Sequence, residues 1–356
     1  MKKNVIVLFG GNSSEYEISC LSAAGVAKNI DLEKYNLLMV GISNNNWIFT
    51  EASLEKIEHG EWVEDDNNVN VTLSLNHKYP GLLILDEKGC KSIDVDCIFP
   101  VLHGRTGEDG SIQGVLELTG IPYIGCGIQS SVVGFDKCLT KEIVKSTGVI
   151  QAKSYIVYKN DLENNKYIDK IDNFFENKYP LFIKPAREGS SVGISKVNKA
   201  EELEKAITTG LLYDNKILVE EGIVGREIEV AVLGNKYAKA SCVGEIIAGD
   251  TFYSYDAKYK SSTSRTEIVC DIPIILEEKI KSDALKIYKA LECEDLARVD
   301  FFLKENGEII FNEINTMPGF TPISMYPKLW ENEGISYSEL VSILIENAIE
   351  KFKLNH

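Results

Sequence analysis

Two apolar runs, 296–303 and 309–321, flank the turn Glu305-Asn306-Gly307, and each carries polar ligands inside a strand-like pattern. Asn-Gly between such runs is a strong hairpin signal. Asp300 lies on the first strand, and Glu313 and Asn315 lie on the second. Residues two apart on a strand share a face, so Glu313 and Asn315 project together and Asp300 can reach them from the partner strand. Three hard oxygen donors without His or Cys suit Mg²⁺ held together with substrate phosphates. The alternative is a solvated acidic face. Its apolar neighbours argue against it, because a charge inside Val-Asp-Phe-Phe or Phe-Asn-Glu-Ile must be compensated.

The rest of the chain predicts an α/β (α+β) protein. A buried-type strand over 5–9 leads through a glycine turn into a helix whose expected capping box is Ser14-Glu15-Tyr16-Glu17. Strands over 37–42 and 96–101 alternate with helical stretches such as 111–117, which predicts a parallel sheet with crossover helices. A helix is expected over 136–147. A hairpin over 179–185 and 192–197, an antiparallel segment from about 220 and a closing helix over 337–352 follow. The expected domains are 1–125, 126–219 and 220–356. Residues 246–265, rich in Ser, Tyr, Asp and Lys, form a long loop of the kind that closes as a lid.

The 356 residues suffice for two or three domains. A net charge of −16 argues against nucleic acid or an anionic membrane as main partner. Eight scattered cysteines without a Cys-x-x-Cys pair indicate neither a disulfide framework nor a zinc site. The apolar start at 5–9 ends at Gly10-Gly11, too early for a signal segment or membrane span, so the expected location is cytoplasmic.

Several stretches could carry chemistry. Lys184 ends an apolar run and precedes Pro185-Ala-Arg-Glu-Gly-Ser-Ser-Val-Gly, where small residues let backbone N–H groups approach a phosphate. No Walker loop is present. Gly189-Ser-Ser-Val-Gly193 matches the G-x-S-x-G elbow, but of the histidines at 59, 77, 103 and 356 only the last follows Ser191. A serine hydrolase is therefore disfavoured. Phe9-Gly-Gly-Asn-Ser-Ser-Glu15 opens a helix at an anion-friendly position but lacks G-x-G-x-x-G, which disfavours a redox Rossmann protein. His103 follows a strand at the end where parallel sheets bind ligands.

In this order the motifs resemble the ATP-grasp superfamily and, within it, the D-alanine–D-alanine ligases. They are Phe-Gly-Gly-x-Ser-x-Glu at 9–15, His-Gly-Arg-x-Gly-Glu-Asp-Gly at 103–110 and Ile-Lys-Pro-x-Arg-Glu-Gly-Ser-Ser-Val-Gly at 183–193. Phe-Tyr-x-Tyr-x-Ala-Lys-Tyr at 252–259, Arg-Val-Asp at 298–300 and Asn-Glu-Ile-Asn-Thr-Met-Pro-Gly-Phe-Thr at 312–321 complete the set. The resemblance implies a three-domain ATP-grasp architecture, with an N-terminal substrate domain and two ATP-clamping domains. It implies ATP and Mg²⁺ (Mn²⁺ as substitute), D-alanine substrates for peptidoglycan precursor synthesis, and a homodimer.

The resemblance also implies roles. Glu15 binds the first substrate's ammonium and shares a hydrogen-bonded network with Ser190 and Tyr259, and His103 lies near that substrate. Lys137, Lys184 and Lys258 contact phosphates, while Glu220, Ile223 and Glu227 border adenine and ribose. Glu221 departs from the Lys often found there. Arg298, on the same strand face as Asp300, joins the Gly319 N–H as the expected oxyanion stabiliser. Arg105 and Arg187 are expected to hold loops.

Lys258-Tyr259 argues against D-lactate as second substrate. Ser324 and Met325 are expected to face that substrate, and Met325, where resistance ligases often carry Arg, favours D-alanine. The opening 9–19 also resembles the D-serine ligases of vancomycin-resistant bacteria, so D-serine is the alternative. The N-terminal motifs disfavour another ATP-grasp ligase or carboxylase. Retention of Asp300, Glu313 and Asn315 disfavours a non-catalytic nucleotide-binding regulator.

Overall fold

The computed structural model describes residues 1–76, 78–86, 89–163, 167–247, 265–268 and 271–355. Its strands form three sheets. The first holds β1 (Lys3–Gly10), β2 (Tyr35–Ser43), β3 (Asn46–Phe49), β4 (Val69–Leu73), β5 (Leu82–Asp86), β6 (Gly89–Ile93) and β7 (Cys97–Pro100). Their spatial order is β6-β5-β4-β3-β2-β1-β7. β1 is buried along most of its length, as expected of a central strand between two parallel neighbours. The helix Tyr16–Asn29 makes the crossover from β1 to β2.

The strands expected over 5–9, 37–42 and 96–101 do pair in parallel, as β2-β1-β7, and β3 to β6 extend that sheet as antiparallel strands not expected from the sequence. Asn44 and Asn45 both have positive φ, 48° and 64°, so β2 turns straight back into β3 through a two-residue hairpin. No helix can intervene there, and the chain continues as a meander. The capping box is corrected. Glu15, not Ser14, is the N-cap residue, and its side chain makes no cap hydrogen bond.

The second sheet contains β8 (Ser154–Tyr158), β9 (Leu181–Pro185), β10 (Ser195–Val197) and β11 (Lys216–Glu221) in the order β10-β9-β11-β8, all antiparallel. The helices Tyr167–Phe174 and Leu203–Gly210 contribute Ile171, Leu203 and Ile207 to its core. The third sheet contains β12 (Arg226–Leu233), β13 (Lys239–Ile247), β14 (Arg265–Glu267), β15 (Leu296–Leu303) and β16 (Ile309–Asn315), ordered β14-β13-β12-β15-β16. The helix Ile274–Ala290 covers one face through Ile280, Ala284 and Ile287. The opposite face carries Glu229, Arg298 and Glu313 toward a cavity.

These packings shift the expected boundaries. β11 runs to Glu221 inside the second sheet, so that sheet ends beyond residue 219 and the third begins at Arg226. Cys126, Val144 and Val149 pack with the third sheet, although the sequence places them in the middle segment. Tyr326, Leu340 and Leu344 from the C-terminal helices share a core with Val5, Phe9 and Trp62 of the N-terminal sheet. Among the described residues no helix is long and apolar enough to cross a membrane, and the described cysteines are free thiols.

Candidate active site

The β15–β16 hairpin aims its polar side chains through a bulge. Asp300 pairs with Glu313 but Phe301 pairs with Phe311, so Asn312 is the extra residue. Phe311 and Ile314 therefore both enter the core, while Asn312, Glu313 and Asn315 line the cavity side. Arg298 lies opposite Asn315.

Two cavities meet at these residues. The larger, about 530 Å³, is lined by Glu15, His103, Arg298, Gly319, Ser324 and Met325 among others. The smaller, about 370 Å³, is lined by Lys184, Glu220, Ile223 and Glu227 beside the Phe182 ring. Both share Lys137, Glu188, Gly189, Ser190, Asn312 and Glu313. Among the described residues, Glu15, His103, Ser324 and Met325 thus gather in one cavity, and Lys137, Lys184, Glu220, Ile223 and Glu227 in the other.

Glu15 stands at the N-terminus of the helix Tyr16–Asn29, where the dipole favours a carboxylate. Its Oε1 accepts a hydrogen bond from Ser190 Oγ, joining the first segment to the 188–193 loop. A Cβ at Gly189 would lie 2.7 Å from Glu15 Oε2, and one at Gly104 2.8 Å. A side chain at either position would displace the Glu15 carboxylate, and Gly104 also adopts φ +73°, which itself favours glycine.

His103 is buried, with Nδ1 3.1 Å from the Met317 carbonyl and Nε2 3.1 Å from Ser22 Oγ. Burial holds its pKa below the ordinary value, so the ring is neutral at neutral pH. A carbonyl only accepts, so Nδ1 carries the proton and Nε2 accepts from Ser22.

At the nucleotide end, Lys137 Nζ donates to the Glu188 carbonyl at 2.7 Å and lies 3.9 Å from Glu313 Oε2. Lys184 Nζ donates to Glu220 Oε2 at 2.6 Å and to Asn312 Oδ1 at 3.4 Å. Although burial opposes it, Lys184 and Lys141 hold the Glu220 carboxyl below its ordinary pKa. Glu220 therefore reaches the cavity with its carboxylate already committed to lysines. Glu221, in place of Lys, accepts from the Lys153 N–H at 2.7 Å.

The hairpin brings Asp300 opposite Glu313 and within hydrogen-bond reach of Asn315. Asp300 does not line either cavity. It sits behind Arg298, which donates to Oδ1 at 2.8 Å and to Oδ2 at 2.7 Å, and Asn315 Nδ2 donates to Oδ2 at 3.2 Å. Arg298 Nη2 also pairs with Glu229 at 3.3 Å. Among the described residues no group of three or more His, Cys, Asp or Glu could hold a metal. The hairpin trio has two carboxylates and one amide, an all-oxygen set that fits a hard cation whose other ligands are phosphates and water.

Ser324 begins the helix Met325–Asn332, accepts from Thr321 N–H at 3.0 Å and shares a hydroxyl contact with Thr321 at 2.8 Å. Met325 is buried against Gly244 and Leu329. Arg187 grips Asp214 through two side-chain hydrogen bonds, and Arg105 reaches the Tyr213 carbonyl and Glu188, so both arginines hold loops as expected. Lys258, Tyr259 and most of the 246–265 loop lie outside the described residues.

Sequence reasoning passed over Glu108, Glu188, Glu229 and Lys141. Glu108 lines the larger cavity, and burial with nearby Glu15 pushes its pKa well above the ordinary value. Glu229 follows Glu227 by two inside an apolar strand, the same signal of a charge that must find a partner that marked Asp300.

The family described as D-ala D-ala ligase N-terminus matches residues 4–126, and that described as D-ala D-ala ligase C-terminus matches residues 143–346. A D-alanine–D-alanine ligase of Acetivibrio thermocellus is 46% identical over 99% of this chain and 98% of its own length. The crystal structure of the VanG D-Ala:D-Ser ligase from Enterococcus faecalis superposes with TM-score 0.88 at 39% identity, covering 98% of this chain and all of that one (100%). A Bacillus anthracis D-alanine–D-alanine ligase complexed with ATP superposes with TM-score 0.74 at 28% identity, covering 100% of both chains.

Proposed function

The chain belongs to the D-alanine–D-alanine ligase family, and from that premise we propose that it joins two D-alanines with ATP, the smaller cavity taking the nucleotide and the larger both amino acids. The observation that carries this placement is the shared lining. Lys137, Glu188 to Ser190, Asn312 and Glu313 border both cavities, so a terminal phosphate in one lies beside a carboxylate in the other.

The first D-alanine places its ammonium at Glu15, near neutral His103, and its carboxylate toward the shared wall. A carboxylate oxygen attacks the γ-phosphorus, the bridging P–O bond to ADP breaks, and an acyl phosphate forms. The amine of the second D-alanine, after losing a proton, attacks the acyl carbon. The tetrahedral adduct collapses, the C–N bond is retained and inorganic phosphate leaves. Lys137 and Lys184 offset the phosphate charge, and Arg298 with the Gly319 N–H offsets the developing oxyanion. Asp300, Glu313 and Asn315 are the residues that would hold Mg²⁺, which would supply charge neutralisation on the phosphates when bound. The protein works in the cytoplasm as a homodimer, a state that light scattering would size. Residues 1–125 supply the first-substrate domain, and the second and third sheets clamp ATP.

The testing experiment measures ADP release and product mass with ATP, Mg²⁺ and D-alanine, alone and against D-serine or D-lactate. Mainly D-alanyl-D-alanine supports the proposal. The likeness to a D-Ala:D-Ser ligase favours D-serine as second reading. Against it, Met325 lines the larger cavity with a thioether, which gives an added hydroxyl no strong hydrogen-bond partner. Mainly D-alanyl-D-serine would overturn the D-alanine assignment.

A further inference from the structure

Lys141 has no part in the reaction as derived above, yet it is only 6% exposed and directs Nζ to Glu220 Oε1 at 2.5 Å. It lies one turn beyond Lys137 on the helix Lys137–Lys145, and its carbonyl accepts from Gln151 Nε2 at 3.0 Å. The other Glu220 oxygen takes Lys184 Nζ at 2.6 Å. One carboxylate therefore bridges two ammonium groups. Lys184 lines the smaller cavity, whereas Lys141 stands behind it. A buried lysine is costly unless paired, and one lysine alone would already neutralise Glu220. The second ammonium leaves the trio with an excess positive charge in a poorly solvated place.

We propose that Lys141 is a positioning residue for nucleotide binding: by engaging one oxygen of Glu220 it loosens the hold of Glu220 on Lys184 and keeps the trio net positive, so that Lys184 can turn its ammonium to the polyphosphate. The inference rests on the smaller cavity being the ATP site. Without Lys141, Glu220 and Lys184 form a closed neutral pair, and each phosphate contact of Lys184 must first break it.

The test is calorimetric binding of ATP, ADP and adenosine to the full chain and to Lys141→Met, Lys141→Arg and the double variant Lys141→Met/Glu220→Gln. Lys141→Met should weaken ATP and ADP by about tenfold or more, the worth of a charge-assisted contact, with adenosine little changed. Lys141→Arg should stay near the wild type. The double variant removes both the carboxylate and its counter-charge, so it should recover most of the lost preference for ATP over adenosine. Unchanged ATP affinity in Lys141→Met, an equal loss for adenosine, or no recovery in the double variant would overturn the inference. If Lys141→Met fails to fold, Lys141→Gln and Lys141→Gln/Glu220→Gln take its place, with the same loss and recovery expected and an unchanged ATP-to-adenosine ratio in Lys141→Gln overturning the inference. A wild-type protein that binds no ATP would instead bring down the assignment of the cavity itself.

Discussion

Around Glu15 a single carboxylate meets two separated pieces of chain: Gly104 on one loop, and Gly189 with Ser190 on another. Such a contact has no local sequence signature, since the partners lie 89 and 175 residues away at Gly104 and Ser190. Glu313 is different, because a carboxylate between Phe311-Asn312 and Ile314 already reads as compensated charge. Glu313→Ala should lower ADP release by about a thousandfold or more, comparable to removing a principal transition-state stabiliser, while the thermal midpoint barely moves. Near-wild-type ADP release would sink its metal role. Glu108 supports a pH prediction. Burial, with Glu15 nearby, raises its pKa above the ordinary 4.5, so above that pH the folded state binds more protons than the unfolded one. Stability from this group therefore falls as pH rises from 4.5 toward the folded value. Glu108→Gln keeps an acceptor for the Gly104 N–H and removes the titration. Its stability relative to wild type should rise steadily from acid toward neutral pH in urea titrations. His103, with the opposite sign, cancels in that difference. A pH-independent difference would reject the buried-acid reading.

At the scale of elements, local signals were reliable where one turn or cap decides geometry. The helix expected from residue 136 is capped by Asp136, whose Oδ1 accepts from Cys138 N–H at 3.1 Å and Leu139 N–H at 3.2 Å. The other oxygen pairs with Lys216 of β11. Asp136→Ala should lower stability by roughly 3–5 kcal/mol, since it strands a mostly buried lysine, with about 1 kcal/mol of that from the cap. Denaturant midpoints would show it, and a shift comparable to an exposed-surface substitution would mean that Lys216 finds another partner. Because the cap also starts the turn bearing Lys137, ATP affinity should fall with it. The expected parallel strands β1, β2 and β7 are present, but the antiparallel extension that starts at Asn44-Asn45, where two left-handed asparagines reverse the chain, was not foreseen. Asn-Asn is a weaker hairpin cue than Asn-Gly, which is why the meander was not legible. The β16 bulge was equally hidden, because strict alternation would have put Phe311 and Glu313 on one face.

For the whole molecule, the N-terminal sheet and the C-terminal helices share one core, so the ends of the chain are not independent. Leu344 is fully buried in that core. Leu344→Ala should lower stability by about 2–5 kcal/mol and weaken the fold around Trp62 as well as the C-terminus, which tryptophan fluorescence during urea unfolding would follow. If the Trp62 signal kept its wild-type midpoint, the shared core would be energetically divisible. By itself the sequence determined the α/β class, the strands and helices that carry the motifs, the hairpin with its oxygen donors, and, through the resemblance of ordered motifs, the ligase family. All but the family follow from short-range rules of periodicity, turns and spacing; the family rests on the resemblance of the ordered motifs. Only the tertiary structure decided that two cavities share Lys137, Ser190 and Glu313, that Asp300 is backed against Arg298, and that Glu220 lies between two lysines. Those facts depend on where separate sheets come to rest, which is set by the burial of non-local apolar faces and by charges finding partners far along the chain.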